Sequence, residues 1–249
     1  MPSPDGAVRL RLRPPLFEMG LKGYLYGEAA VRLAVEADRV CEETGVGIIF
    51  DPQAVDIAAV ARATSRIHVF AQHMDPVEVG RGTGAVLAEA LREAGAVGTL
   101  LNHAERRLTL ADIDRTLRRA REVGLATVAC CDSPEEAAAL AHLGPDVVLA
   151  EPPELIGTGE SVGRRMRGFV ERTIELVGAV DADIVVACGA GVRTPEDVAE
   201  MVALGVGATG STSGILRAPD PAAQLRAMVR AMAEAWARHH PSVAGPAAG

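Results

Sequence analysis

The sequence contains a single lysine, Lys22, among 25 basic residues. In a chain so biased toward arginine, one compact ammonium marks a position where a planar guanidinium fork is a poor substitute. Two other side chains with acid–base chemistry directly follow short apolar runs: His103 in Leu-Leu-Asn-His, and Glu151 in Val-Leu-Ala-Glu. An imidazole can polarise a carbonyl, a carboxylate can take a carbon-bound proton, and an ammonium can stabilise the negative charge that results. Two glycine-rich segments come later, Gly189-Ala190-Gly191 and Gly210-Ser211-Thr212-Ser213-Gly214. Glycine lets backbone N–H groups approach an anion closely. Together these groups suit proton transfer next to a carbonyl on a small phosphorylated substrate.

Groups so far apart in sequence need a scaffold that gathers them. Eight β-branched or apolar runs predict strands at 16–19, 46–50, 68–71, 97–101, 126–130, 147–150, 184–187 and 208–211, with amphipathic helical stretches such as 28–44 and 110–123 between them. Helix starts are marked by Asp132-Ser133-Pro134-Glu135 and Thr194-Pro195-Glu196-Asp197, and helix ends by Gly45, Gly124 and Gly205. Strict strand–helix alternation implies parallel strands with right-handed crossovers. Eight units in 249 residues fit a single-domain (β/α)8 barrel, with a doubly wound open sheet as the alternative. The third helix, around 85–94, is short, which favours a compact barrel. The barrel is expected over 16–240, with a peripheral N-terminal extension at 1–15 and a C-terminal tail at 241–249. In this fold the site lies at the C-terminal ends of the strands, where Lys22, His103, Glu151 and both glycine-rich segments fall.

Composition narrows the function classes. With 49% hydrophobic residues the chain can build a large core. A formal net charge of -8 argues against a general nucleic-acid binder. No apolar run approaches the roughly 20 residues of a membrane span, and the N-terminus carries no apolar core of a secretory signal. The four cysteines, Cys41, Cys130, Cys131 and Cys188, form no CxxC pair, so neither a disulfide framework nor a zinc site is expected, and the reading is of a cytoplasmic protein. Of the adjacent pair Cys130 and Cys131, one is expected to face the barrel interior and the other the helices.

The motifs FAQHMDP (70–76), AGAVGTLLNHAE (94–105), NHAERR (102–107), AEPPELIGTG (150–159) and CGAGVRTPEDV (188–198) resemble the triosephosphate isomerase family, specifically its compact archaeal form, over roughly 20–218 and in family order. The resemblance implies a compact TIM barrel and a cofactor-independent aldose–ketose isomerase acting on a short sugar phosphate through an enediolate, with no metal. It implies Glu151 as the base, His103 as the neutral imidazole that polarises the carbonyl, and Lys22 as the active-site lysine. Glu105 matches the family's neighbouring acid, the alternative being a structural ion pair to an arginine. Residues 152–159 match the mobile lid, Gly157 included. Gly189, Gly191, Gly210, Ser211, Thr212, Ser213 and Gly214 match the phosphate cradle. A homo-oligomer, dimer or tetramer, is implied, with the loop carrying Gln72-His73-Met74-Asp75 reaching a neighbouring subunit.

The chain departs from the family pattern around the site. Gly20 stands where the family usually has Asn, Ala104 where it has Ser, and Val192-Arg193 where Ser often follows the strand-7 turn. Strand 8 ends in a polar GSTSG. These changes are expected to leave room beside Lys22 and to add hydroxyls at the mouth, keeping a tetrose or longer ketose phosphate open as substrate. A non-catalytic sugar-phosphate-binding barrel is a further alternative. A Schiff-base aldolase would need its lysine inside a late strand, which Lys22 is not. The Arg164, Arg165 and Arg167 cluster reads as a solvated helix face.

Overall fold

The computed structural model describes residues 10–241. Eight parallel strands close into a barrel in sequential order: β1 Leu16–Gly20, β2 Gly47–Asp51, β3 His68–Ala71, β4 Gly98–Leu101, β5 Ala126–Cys131, β6 Val147–Ala150, β7 Val185–Cys188 and β8 Ala208–Gly210. The helices are α1 Gly27–Thr44, α2 Ile57–Ala63, α3 Ala88–Glu93, α4 Leu110–Val123, α5 Pro134–Ala141, α6 Val162–Arg165, α7 Arg167–Val180, α8 Pro195–Ala203, α9 Ser213–Leu216 and α10 Pro221–His239. The third helix is indeed short. The eight expected strands are all present, and the closed barrel replaces the open-sheet alternative.

Strand side chains alternate between two cores. Leu16, Ile49, Phe70, Leu100, Val128, Cys130, Leu149 and Ala187 fill the barrel, while Phe17, Met19, Ile48, Phe50, Ala129, Cys131 and Val186 pack outward against the helices. Cys130 and Cys131 thus divide between the two cores as expected. Filling the interior requires pairing large residues with small ones. Any side chain at Gly98 on β4 would enter the Phe70 ring on the adjacent β3.

Helix caps set the loops that carry the site. The Thr194 side chain accepts from the Asp197 amide, and Asp197 Oδ2 accepts from the Arg193 and Thr194 amides at 2.9 Å each. This capping box fixes the turn after β7 and occupies those two amides. Ser133 caps α5 with Pro134 in the first turn, and Gly45 and Gly124 close α1 and α4 in the left-handed conformation.

The expected extension at 1–15 divides. Residues 1–9 lie outside the described residues, but Leu12 is buried with the inner core, so the chain from Leu10 onward packs on the barrel rather than lying peripheral to it. Its apolar side chain has the open inner core within reach, which the Arg- and Pro-rich context of the segment obscured. Of the expected tail, 242–249 lie outside the described residues. No helix among the described residues is long and apolar enough to cross a membrane.

Candidate active site

Lys22, His103 and Glu151 meet in one cavity of about 460 Å³ at the C-terminal mouth of the barrel, within the usual range of ligand pockets. Each arrives from a different strand end.

Lys22 follows β1 and adopts a left-handed backbone, φ +47°, costly for a residue with a Cβ. Its carbonyl is clamped by Gln53 Nε2 at 2.5 Å and Gln72 Nε2 at 3.1 Å, and Gln72 also donates to the Asp51 carbonyl. The strained conformation is therefore held from two neighbouring loops. The ammonium donates to Glu105 Oε1 at 2.7 Å. Burial disfavours the ammonium, but the Glu105 bond and the Glu151 and Glu18 charges outweigh it, so the pKa of Lys22 lies above its ordinary value. The same bond holds the Glu105 carboxyl below the usual range. Glu105 thus pairs with the lysine and not with an arginine.

His103 follows β4, beside another left-handed residue, Asn102 with φ +60°. Asn102 is tied across to β5 through Nδ2 to the Cys130 carbonyl at 2.9 Å, and its Oδ1 accepts from the Leu108 amide. The Glu105 amide donates to His103 Nδ1 at 3.1 Å. An amide hydrogen at Nδ1 leaves the ring proton on Nε2, which faces Glu151 Oε2 at 3.5 Å.

Glu151 directly follows β6, its carboxylate seated over Gly189 and its Oε1 accepting from the Ala190 amide at 3.0 Å. A Cβ at 189 would lie 3.1 Å from Glu151 Cδ, so Gly189 serves as the seat of the base. Ala190, φ +74°, is the third left-handed non-glycine residue at this mouth.

The expected cradle is only partly assembled as read from sequence. Gly157, Gly189, Gly191, Gly210, Ser211, Thr212 and Ser213 line the cavity, but Gly214 does not. A Cβ at Gly214 would press on Arg193 Cα at 2.8 Å, so this glycine lets α9 approach the strand-7 loop. Ser211 does not offer its hydroxyl: Oγ donates to the Val192 carbonyl at 2.7 Å. Gly210 allows β8 to run against the Glu18 backbone. Gly191 touches the Glu160 carbonyl, and Val162 N–H bonds to the Ala190 carbonyl at 3.2 Å, so the far end of the 152–159 loop rests on the strand-7 turn.

Two acids missed in the sequence also line the cavity. Glu18 on β1 and Asp51 at the end of β2 point inward and share a hydrogen bond between their carboxyl groups. Burial raises the pKa of both, Asp51 well above the usual carboxylate range and pushed further by the Glu18 charge. Inward register on β1, two residues after Leu16, was the available signal. The room expected at Gly20 is not empty: a Cβ there would lie 2.7 Å from Glu18 Oε1, 3.2 Å from Thr212 Oγ1 and 3.3 Å from Asp51 Oδ2.

The arginine cluster is engaged elsewhere. Arg164 pairs with Asp197, Arg165 with Glu160 at 3.4 Å, and Arg167 with Glu171 at 3.6 Å. Among the described residues no group of His, Cys, Asp and Glu is arranged to hold a metal ion. The Cys188 thiol, with its pKa pushed up to about 12 by burial, is no nucleophile.

A carboxylate, an imidazole of fixed tautomer and an ammonium at one barrel mouth are the groups of proton-transfer chemistry at a carbonyl, and the protein is an isomerase of the aldose–ketose class on a (β/α)8 barrel. The family model described as triosephosphate isomerase matches residues 20–217, and the chain belongs to the triosephosphate isomerase family. A triosephosphate isomerase of Methanobacterium bryantii is 42% identical over 217 residues, 86% of this chain and 96% of that one. One of Methanothermus fervidus is 40% identical, covering 88% and 99%. A crystal structure of triosephosphate isomerase from Bartonella henselae shares the fold with a TM-score of 0.68 at 19% identity, covering 88% of this chain and 99% of that chain.

Proposed function

We propose that this protein interconverts dihydroxyacetone phosphate and glyceraldehyde 3-phosphate through an enediolate, using its own side chains. Glu151 takes a proton from the carbon next to the carbonyl, its carboxyl exchanges with solvent during the lifetime of the enediolate, and it gives a proton to the neighbouring carbon. His103 donates its Nε2 proton toward the carbonyl oxygen and moves a proton between the two substrate oxygens. Lys22, held by Glu105, balances the enediolate charge. The backbone around Gly189, Gly191, Gly210, Thr212 and Ser213 receives the phosphate, and the 152–159 loop closes over it to exclude water.

The observation that carries this reading is the opposition of His103 Nε2 and Glu151 Oε2, with the imidazole tautomer set by the Glu105 amide. A coupled isomerase assay with dihydroxyacetone phosphate tests it: turnover is expected, and a folded protein without turnover would contradict it.

The protein works as a homo-oligomer in the cytoplasm. Support for assembly comes from Tyr26, Val55 and Val79, exposed apolar side chains on the loops after β1, β2 and β3. Light scattering is expected to give a mass of at least two chains. A monomer at working concentration would contradict assembly.

A further inference from the structure

The turn after β7 carries a cation that the isomerase reading leaves unused. Arg193 is exposed, and among the described residues its guanidinium makes no hydrogen bond or ion pair. Its backbone is fixed on both sides: the amide donates to Asp197 Oδ2 at 2.9 Å, and the carbonyl accepts from Gln224 Nε2 at 2.7 Å. The side chain lies against the far end of the 152–159 loop. A Cβ at Gly159 would strike the guanidinium, 2.8 Å from Arg193 Cδ and 3.2 Å from Cζ, and Gly159 itself is left-handed, φ +82°. On the loop, the carbonyls of Ile156, Gly157, Thr158 and Gly159 accept no hydrogen bond among the described residues. Ile156 and Gly157 line the cavity that holds Lys22, His103 and Glu151. Free donors therefore stand beside free acceptors at the edge of the site.

We propose that Arg193 is a positioning residue that latches this loop: as 152–159 closes over bound substrate, the guanidinium donates to the free carbonyls at its glycine end and holds Ile156 and Gly157 over the reacting atoms. The proposal rests on the isomerase reading. Five N–H donors in a planar fork serve two carbonyls at once, which a serine hydroxyl with its single donor cannot. Asp197 lies in α8 and Gln224 in α10, so a loop bonded to Arg193 is bonded through it to the helical shell of the barrel. Gly159 belongs to the latch, because any side chain there would push the arginine off the loop. The latch protects the intermediate. In an enediolate left open to water the C–O bond to phosphate breaks, its electron pair leaves with inorganic phosphate, and the remaining enol tautomerises to a ketoaldehyde. A firmly held loop suppresses that loss.

The test uses the wild type, Arg193→Met, which keeps the length of the side chain and removes its donors, and Gly159→Ala, with thermal melts confirming that each is folded. Two quantities are read with dihydroxyacetone phosphate as substrate: kcat/KM for isomerisation, and inorganic phosphate released per isomerisation. Both variants are expected to lose roughly tenfold or more in kcat/KM and to release roughly tenfold or more phosphate per turnover. A folded Arg193→Met variant with wild-type values would overturn the latch while leaving the isomerase reading intact, as would a leak confined to Gly159→Ala. A fall in kcat/KM with released phosphate unchanged would also overturn it, because Arg193 would then serve binding or the fold and not the loop. A folded wild type that converts no dihydroxyacetone phosphate would overturn the isomerase reading and the latch with it.

Discussion

His103 Nε2 and Glu151 Oε2 face each other at 3.5 Å across the barrel mouth, one brought by β4 and the other by β6. In the proposed mechanism the substrate packs over this pair, its reacting carbons at the carboxylate and its carbonyl oxygen at the imidazole. The Ala190 amide steadies the carboxylate and the Glu105 amide steadies the ring, so each reactive atom is positioned by the backbone of a loop.

Shortening the base by one methylene withdraws the carboxylate from its seat over Gly189. Glu151→Asp is expected to lose about 2–4 kcal/mol of transition-state stabilisation, roughly 30- to 1,000-fold in kcat/KM, with the fold retained. Steady-state kinetics beside a thermal melt check this, and activity within a few-fold of the wild type would remove Glu151 from the mechanism.

Lys22 is held by strain, two glutamine clamps and the Glu105 bond. Lys22→Met is expected to abolish turnover, and Lys22→Arg is not expected to restore it, because a planar fork cannot replace the compact charge there. Full activity in the arginine variant would make the lone lysine accidental.

An anion is expected between Gly191 and Ser213. Inorganic phosphate should inhibit competitively, and a crystal soaked in it should show the ion against the backbone of these turns. Density on Arg164, Arg165 and Arg167 instead would place the cradle wrongly, although their carboxylate partners already oppose that.

The Glu18–Asp51 pair makes stability depend on pH. Both carboxyls titrate higher in the folded state than unfolded, so the folded chain holds protons that the unfolded chain releases. That stability is present below the unfolded pKa values and is lost as pH rises through the folded ones. The facing groups Lys22, Glu151 and His103 belong to the same field. Replacing both acids by leucine is expected to raise Tm, with a larger gain at about pH 8 than at about pH 5. Differential scanning calorimetry at the two pH values checks this, and a gain independent of pH would contradict the assignment.

Gly20→Asn alone should destabilise, since its Cβ would lie 2.7 Å from Glu18 Oε1. Combined with Glu18→Val and Ala104→Ser, the same change is expected to recover stability, since the carboxylate that it meets is gone. Equal melting points for the single and triple variants would show that Glu18 yields freely.

The strands were legible because β-branched runs alternate cleanly with capped amphipathic helices, and the chemical triad because each member follows a strand. Other features depend on tertiary register. Glu18 reads as an ordinary charged residue in Leu-Phe-Glu-Met-Gly until the barrel sets which face is inward. Gly20 reads as a vacancy until Thr212 and Asp51 are seen beside it. The Ser211 hydroxyl looks available until the Val192 carbonyl is found against it, and Gly214 looks like a phosphate contact until α9 is seen packed on Arg193. Gln53 and Gln72 gave no local signal, because the carbonyl they clamp belongs to a different loop.

Protons move through solvent-exchangeable groups at Glu151 and His103 in the proposed reaction. Turnover of dihydroxyacetone phosphate in deuterated water, followed by proton NMR, tests it most directly. Glyceraldehyde 3-phosphate is expected to carry deuterium at the carbon that received the proton. Product formed at a normal rate with no deuterium at that carbon would mean that the hydrogen moves without exchange, by hydride migration or by a sealed carboxyl shuttle, and would contradict exchange at Glu151.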